Sequence, residues 1–208
     1  HVLICGESGS GRSTLARLIH ANSPGAGGAL HEIACGPGNG ELALPKPAGD
    51  PITLILDHFE SIGEGQRGSL NRLLAGPSSQ VRIIAITAPG LEQHAAAGRF
   101  DKTLYHRVAE SVLEVPALRE RREDIPELVR YLAEQLPVRE KLHYRPIPVA
   151  VQNQLRQHDW PGNLRELTNL LRRLLQSGSE APVEPEEVTA LLDRADPENT
   201  FAMEAVHS

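Results

Sequence analysis

The segment Gly6-Glu7-Ser8-Gly9-Ser10-Gly11-Arg12-Ser13 constrains this chain more than any other. It follows the apolar run Val2-Leu3-Ile4-Cys5 and opens the periodic stretch Thr14-Leu15-Ala16-Arg17-Leu18-Ile19-His20, an order that predicts strand, glycine turn and helix. This is the layout of a phosphate loop. Its glycines let successive backbone N–H groups point into one concavity, and the helix that follows adds the positive end of its dipole. Gly6, Glu7, Ser8, Gly9, Ser10, Gly11, Arg12, Ser13 and Thr14 are therefore the candidate cradle for a polyphosphate. The usual pattern closes on Gly-Lys-Ser/Thr, with the ammonium on the terminal phosphates and the hydroxyl on Mg²⁺. Here Arg12 stands in the lysine's place beside Ser13. A planar guanidinium keeps the charge but is bulkier than an ammonium, so the exchange is not conservative at a tight site. The competing reading is a glycine-rich strand-to-helix turn that holds no ligand.

A loop of this kind sits at the end of a buried parallel strand, and the rest of the first half supplies partners for one. Ile52-Thr53-Leu54-Ile55-Leu56 is almost wholly apolar and ends in Asp57, as a buried strand delivering a carboxylate to its C-terminal edge should. Such an aspartate holds Mg²⁺ through water in phosphate-loop enzymes, which makes Ser13 and Asp57 the candidate metal-side residues. A strand-end aspartate that merely caps a turn is the alternative. Further strands are predicted over Leu30–Cys35, Val81–Thr87 and Ser111–Val115, and helices over Gln66–Leu74, Leu91–Ala97 and Phe100–Val108. Strands separated by helices call for an α/β fold: a five-stranded parallel sheet flanked by helices.

From Pro116 onward no strand signal appears. Helical patterns run over Asp124–Leu136, Pro148–His158 and Asn163–Gln176, with a weaker one over Pro185–Arg194. The expected organisation is an α/β core over residues 1–116, a small all-helical domain over 117–195 and a loosely ordered tail over 196–208.

Composition narrows the partners. A net charge of −6 argues against a broad nucleic-acid-binding face, and 3% aromatic residues leave too few rings for a base-stacking platform and predict an aliphatic core. The two cysteines, Cys5 and Cys35, end strand-like runs and read as reduced thiols. No apolar run is long enough to span a bilayer and no signal peptide is visible, so a cytoplasmic location without membrane contact is expected.

Two later stretches carry a family resemblance. Pro116-Ala117-Leu118-Arg119-Glu120-Arg121-Arg122-Glu123-Asp124-Ile125-Pro126 resembles the segment that joins the α/β core to the helical lid in bacterial sigma-54-dependent activators, a group of AAA+ ATPases. Asp159-Trp160-Pro161-Gly162-Asn163-Leu164-Arg165-Glu166-Leu167 resembles that family's lid motif, and Gly98-Arg99-Phe100 with Leu104-Tyr105-His106-Arg107-Val108 its arginine-finger region. The resemblance runs to about Leu192. It implies an AAA+ phosphate-loop fold with a helical lid, ATP or ADP with Mg²⁺ as cofactor, and self-association through AAA+ interfaces. Arg165 takes the position of the second sensor, an arginine reaching phosphate from the lid, and Arg107 that of a finger reaching across a subunit boundary. On residue chemistry alone, Pro161-Gly162-Asn163 breaks the chain, Asn163 is a good N-cap, and Arg165 falls in a first helical turn, where the dipole offers it nothing. Pairing of Arg165 with Glu166 or a neighbour is the alternative to an external anion.

The departures from the family pattern are as informative. The glutamate that polarises the attacking water is replaced by His58, which could serve as a base only in principle. The sensor asparagine after the fourth strand is replaced by Ala88, and one finger position by Asp101, a carboxylate where a neighbour's triphosphate would lie. The insertion carrying the GAFTGA sequence, which grips the sigma factor, has no counterpart between Cys35 and Ile52. The resemblance thus implies an ATP-binding regulatory domain of a transcriptional regulator, with Asp57, His58 and Arg107 as its catalytic candidates, that hydrolyses poorly and does not remodel sigma-54 polymerase. A slow ATPase in which Arg12 and His58 replace lysine and glutamate, and a pocket turned to another nucleotide such as a cyclic dinucleotide, are the alternatives. RNA polymerase or a sigma factor is the implied partner. No helix-turn-helix is visible, so DNA contact is expected only through a domain outside this chain.

Overall fold

The computed structural model describes residues 1–38, 40–42, 51–75, 81–177 and 179–193. The stretch between Cys35 and Ile52, where the missing insertion is expected, falls in part, and the expected tail wholly, outside them. The chain divides into two compact units, His1–Val115 and Pro116–Ser208.

In the first unit β1 (Val2–Gly6), β2 (Ala29–Ala34), β3 (Ile52–Asp57), β4 (Val81–Thr87) and β5 (Val112–Val115) form one sheet in the order β2-β3-β4-β1-β5. Every pairing is parallel, with Cys5 opposite Thr87 and Ala34 opposite Asp57. Side chains alternate across a strand, so the apolar runs divide between two faces. Leu3, Leu54, Leu56, Ile83 and Ala85 join one cluster, and Val2, Ile4, Ile55, Ile84 and Ile86 the other. Helix α1 (Arg12–Ala21) covers the second face with Ala16, Leu15 and Ile19. The first face packs Leu70 of α2 (Glu64–Ala75), Leu91 of α3 (Leu91–Ala96) and Leu104 of α4 (Lys102–Val108). The core is mainly aliphatic, as the composition implies, although Phe59 and Phe100 meet edge to face at 5.4 Å within it.

The second unit is helical among the described residues: α5 (Ile125–Glu140), α6 (Val149–Gln157), α7 (Asn163–Leu175) and α8 (residues 185–193). Leu167, Leu170, Leu171, Leu174 and Leu175 repeat at helical spacing on α7 and are buried against Val129, Leu136, Val151 and Leu155. Two sequence expectations are corrected here. Helix α5 does not end at Leu136 but runs through Pro137 to Glu140. The proline sits in the last, outward-facing turn, where few bonds are lost, and Lys141 closes the helix at φ 56 with its N–H on the Pro137 carbonyl. Asn163 is not the N-cap of α7, a place taken by Gly162. Asn163 is wholly buried at φ 54, and its Oδ1 accepts from the Leu118 N–H at 2.8 Å. Asparagine tolerates that left-handed backbone, and satisfying a buried amide outweighs a cap.

A buried arginine ties together the segments that follow α5 and α7. Arg145 is 2% exposed and gives six hydrogen bonds, to Ala181 O, Leu174 O, Ser177 Oγ, Pro182 O and both oxygens of Glu187. The bidentate carboxylate neutralises a charge that burial would otherwise expel.

Candidate functional site

Parallel pairing puts the C-terminal ends of all five strands on one edge, and three adjacent strands bring the candidate residues there. From β1 the chain leaves at Gly6, where an added Cβ would lie 2.8 Å from the Val115 carbonyl of β5, so only glycine fits. The turn that follows closes with the Ser10 N–H on the Glu7 carbonyl, and Gly9 and Gly11 take φ 76 and 105, a region glycine alone enters freely. Gly11 is the residue before α1, so the cradle opens onto a helix start. Ser10 is buried, Arg12 and Ser13 are half-buried and Thr14 is exposed.

Asp57 ends β3, half-buried, with its Oδ1 accepting from the His58 N–H at 2.9 Å. His58 takes φ 55, which turns the chain into the short 3₁₀ turn Phe59–Ser61 and leaves its imidazole exposed. Its Nδ1 lies 3.7 Å from Glu60 Oε1. Between these two strands, β4 ends at Thr87, and Ala88 follows it.

Arg12 does not extend into open solvent. Its Nη1 donates to the Thr87 carbonyl at 2.5 Å, which ties the start of α1 to the end of β4. The Ala88 N–H donates to Glu60 Oε2 at 3.3 Å. Glu60 is a residue that the sequence reading passes over. Its signal was an acidic side chain three positions beyond Asp57, but only the left-handed turn at His58 brings that carboxylate back over the strand ends. The edge is otherwise negative: burial, together with Glu60 and Asp57, pushes the Cys35 thiol up to about 12, and burial with Glu114 raises Cys5 against the opposing pull of Arg12. Both thiols are free, and burial works against the thiolate form of each.

The remaining candidates are carried by helices α4 and α7. Asp101 is the N-cap of α4, its Oδ1 accepting from the Thr103 and Leu104 amides at 2.9 and 3.0 Å. The Asp101 carboxylate thus has a helix to hold. Arg107 is exposed in the last turn of α4. Arg165 is exposed in the first turn of α7, and Glu166 Oε2 accepts from the Gly162 N–H at 2.7 Å.

The donor set suits a nucleotide with Mg²⁺. Gly9 and Gly11, at φ 76 and 105, bring no side chain into the turn, and Ser13 and Asp57 carry oxygen donors of the kind that Mg²⁺ takes. Among the described residues no cluster of three or more His, Cys, Asp or Glu could hold a metal by itself. No helix of the described residues is long and apolar enough to cross a membrane.

Residues 1–118 match the Sigma-54 interaction domain and residues 119–204 the AAA+ ATPase lid domain. The nitrogen assimilation regulatory protein NtrX of Azorhizobium caulinodans is 36% identical over 204 residues, covering 84% of this chain and 44% of that protein. The anaerobic nitric oxide reductase transcription regulator NorR of Klebsiella pneumoniae is 33% identical over 223 residues, covering 89% and 43%. The chain therefore spans less than half the length of these relatives. The crystal structure of NtrX from Brucella abortus in complex with ADP superposes with a TM-score of 0.74 at 30% identity, covering 89% of this chain and 48% of that one. Its complex with ATP gives 0.71 at 29% identity, covering 89% and 50%. With the phosphate loop, the five parallel strands and the helical unit already in place, these matches make the chain a member of the sigma-54 interaction domain family, an AAA+ core followed by its lid.

Proposed function

We propose that this chain is the nucleotide-binding regulatory core of a bacterial transcriptional regulator, one that holds ATP or ADP with Mg²⁺ but hydrolyses ATP poorly. Gly6 to Thr14 would cradle the phosphates, Ser13 and Asp57 would hold the metal, Arg165 would approach phosphate from the lid and Arg107 would reach a neighbouring subunit. Support for binding comes from the ADP and ATP complexes of the Brucella NtrX and from the glycine turn at a helix start. The observation that carries weak turnover is the strand edge itself. The position that would orient an attacking water holds Ala88, and the residue after Asp57 is an exposed imidazole rather than a carboxylate.

The partners follow from the family in the same way. Self-association, engagement of RNA polymerase or a sigma factor, and DNA contact through a domain outside this chain are proposals. So is the inability to remodel sigma-54 polymerase, which rests on the short stretch between Cys35 and Ile52. A second reading, a slow ATPase, is favoured by the 3.7 Å approach of Glu60 to His58, which could orient the imidazole as a base.

Calorimetric titration with ATP and ADP, with Arg165→Ala beside the wild type, tests binding. Saturable binding weakened by Arg165→Ala is expected, and no binding of either nucleotide would overturn the reading. A phosphate-release assay separates the two readings. Turnover lost in His58→Ala with binding intact would replace the first by the second.

A further inference from the structure

The bond from Arg12 and the bond to Glu60 fall on a single peptide unit. The carbonyl of Thr87 and the N–H of Ala88 belong to the same peptide, and they point to opposite sides. Arg12, from the loop after β1, holds the oxygen, and Glu60, from the turn after β3, holds the hydrogen. This peptide ends the strand that runs between those two, and it leads through Gly90, at φ 97, into α3. Resting on the nucleotide reading above, we propose that the Thr87–Ala88 peptide is the phosphate sensor of this site, with Arg12 as its trigger and Glu60 as the positioning residue that holds its other side.

The physical reason is a competition for one guanidinium. Arg12 gives its Nη1 to a neutral carbonyl. A phosphate in the adjacent cradle offers charged acceptors, and a charge-assisted hydrogen bond is about twice as strong as a neutral one. Arginine prefers that forked, charged geometry, so bound phosphate draws Arg12 from Thr87 and frees the peptide to rotate, which pulls the Ala88 N–H away from Glu60. A lysine has no planar fork and a shorter reach, and Ala88 has no side chain with which to report occupancy. The two departures from the family pattern, Arg12 and Ala88, therefore act as one device. The signal passes to the turn between β4 and α3, and α4 with Arg107 follows α3 in the chain.

Amide hydrogen exchange at Ala88, followed by NMR in the whole 208-residue chain, tests the proposal. In the wild type, saturation with ADP and Mg²⁺ is expected to speed exchange at Ala88 by about ten-fold, the scale of one lost hydrogen bond. Glu60→Ala is expected to speed it by a similar factor with no nucleotide present. In Arg12→Lys, ADP is expected to bind by calorimetry yet leave Ala88 exchange unchanged. ADP binding with no change at Ala88 in the wild type, or with an equal change in Arg12→Lys, overturns the sensor and leaves the nucleotide reading standing. Absence of ADP binding to the wild type removes both. The wild-type measurement decides even where a variant fails to fold.

Discussion

Arg12 in the α/β unit and Arg145 in the helical unit are both drawn out of solvent, and they are used in opposite ways. Arg145 spends its donors on six fixed acceptors and neutralises its charge with Glu187. Arg12 is half-buried and makes, among the described residues, one hydrogen bond to an uncharged carbonyl beside a glycine cradle. A saturated cation is architecture, and removing it damages the fold. Under the proposed nucleotide reading, an undersupplied cation at a strand edge keeps its charge for a ligand, and removing it is expected to change binding more than stability. The helical unit thus seals the polarity of Arg145 inside itself, whereas the sheet unit leaves that of Arg12 at the ends of its strands.

The largest expected effect tests the structural side. Arg145→Met leaves Glu187, Ser177 and three carbonyls without their donor, and is expected to cost the helical unit about 3 kcal/mol or more, measured by urea denaturation. Intact stability in that variant would erase the contrast. Asn163→Ala removes the acceptor of the Leu118 amide and places alanine in a left-handed backbone. The expected loss is about 2 kcal/mol in the same assay, with no change in the near-ultraviolet signal of the sheet unit.

Acid gives a graded version. The Arg145 hydrogen bonds, with the Glu184 amide, hold the Glu187 carboxyl below its ordinary value. A depressed carboxylate pKa contributes stability that is complete above the unfolded value and disappears as pH falls through the folded one. The urea midpoint is therefore expected to drop as pH goes below about 4, and Glu187→Gln to flatten that drop, starting from a lower midpoint at pH 7. An unchanged slope would show that the pair is not coupled to folding. The smallest effect belongs to the sheet edge: His58→Gly relieves a left-handed φ of 55 and is expected to stabilise by about 0.5 kcal/mol in thermal denaturation.

The sequence by itself determined the parallel sheet, the helical second half and the cradle. Apolar runs such as Ile52–Leu56, helical spacing such as Leu167–Leu175, and glycines at fixed offsets are local signals, and local signals survive without a fold. It also singled out Arg12, His58, Ala88 and Asp101 as departures, because each is a change at one position. Only the tertiary structure decided what those residues touch. Asp101 caps α4, Asn163 serves Leu118 from 45 residues away, and Glu60 is carried to Ala88 across 28 residues by a left-handed turn. Contacts between distant positions depend on strand order and backbone handedness, which no side-chain pattern along the chain encodes. The peptide between Thr87 and Ala88 is therefore invisible in the sequence, although the residues on either side of it are not.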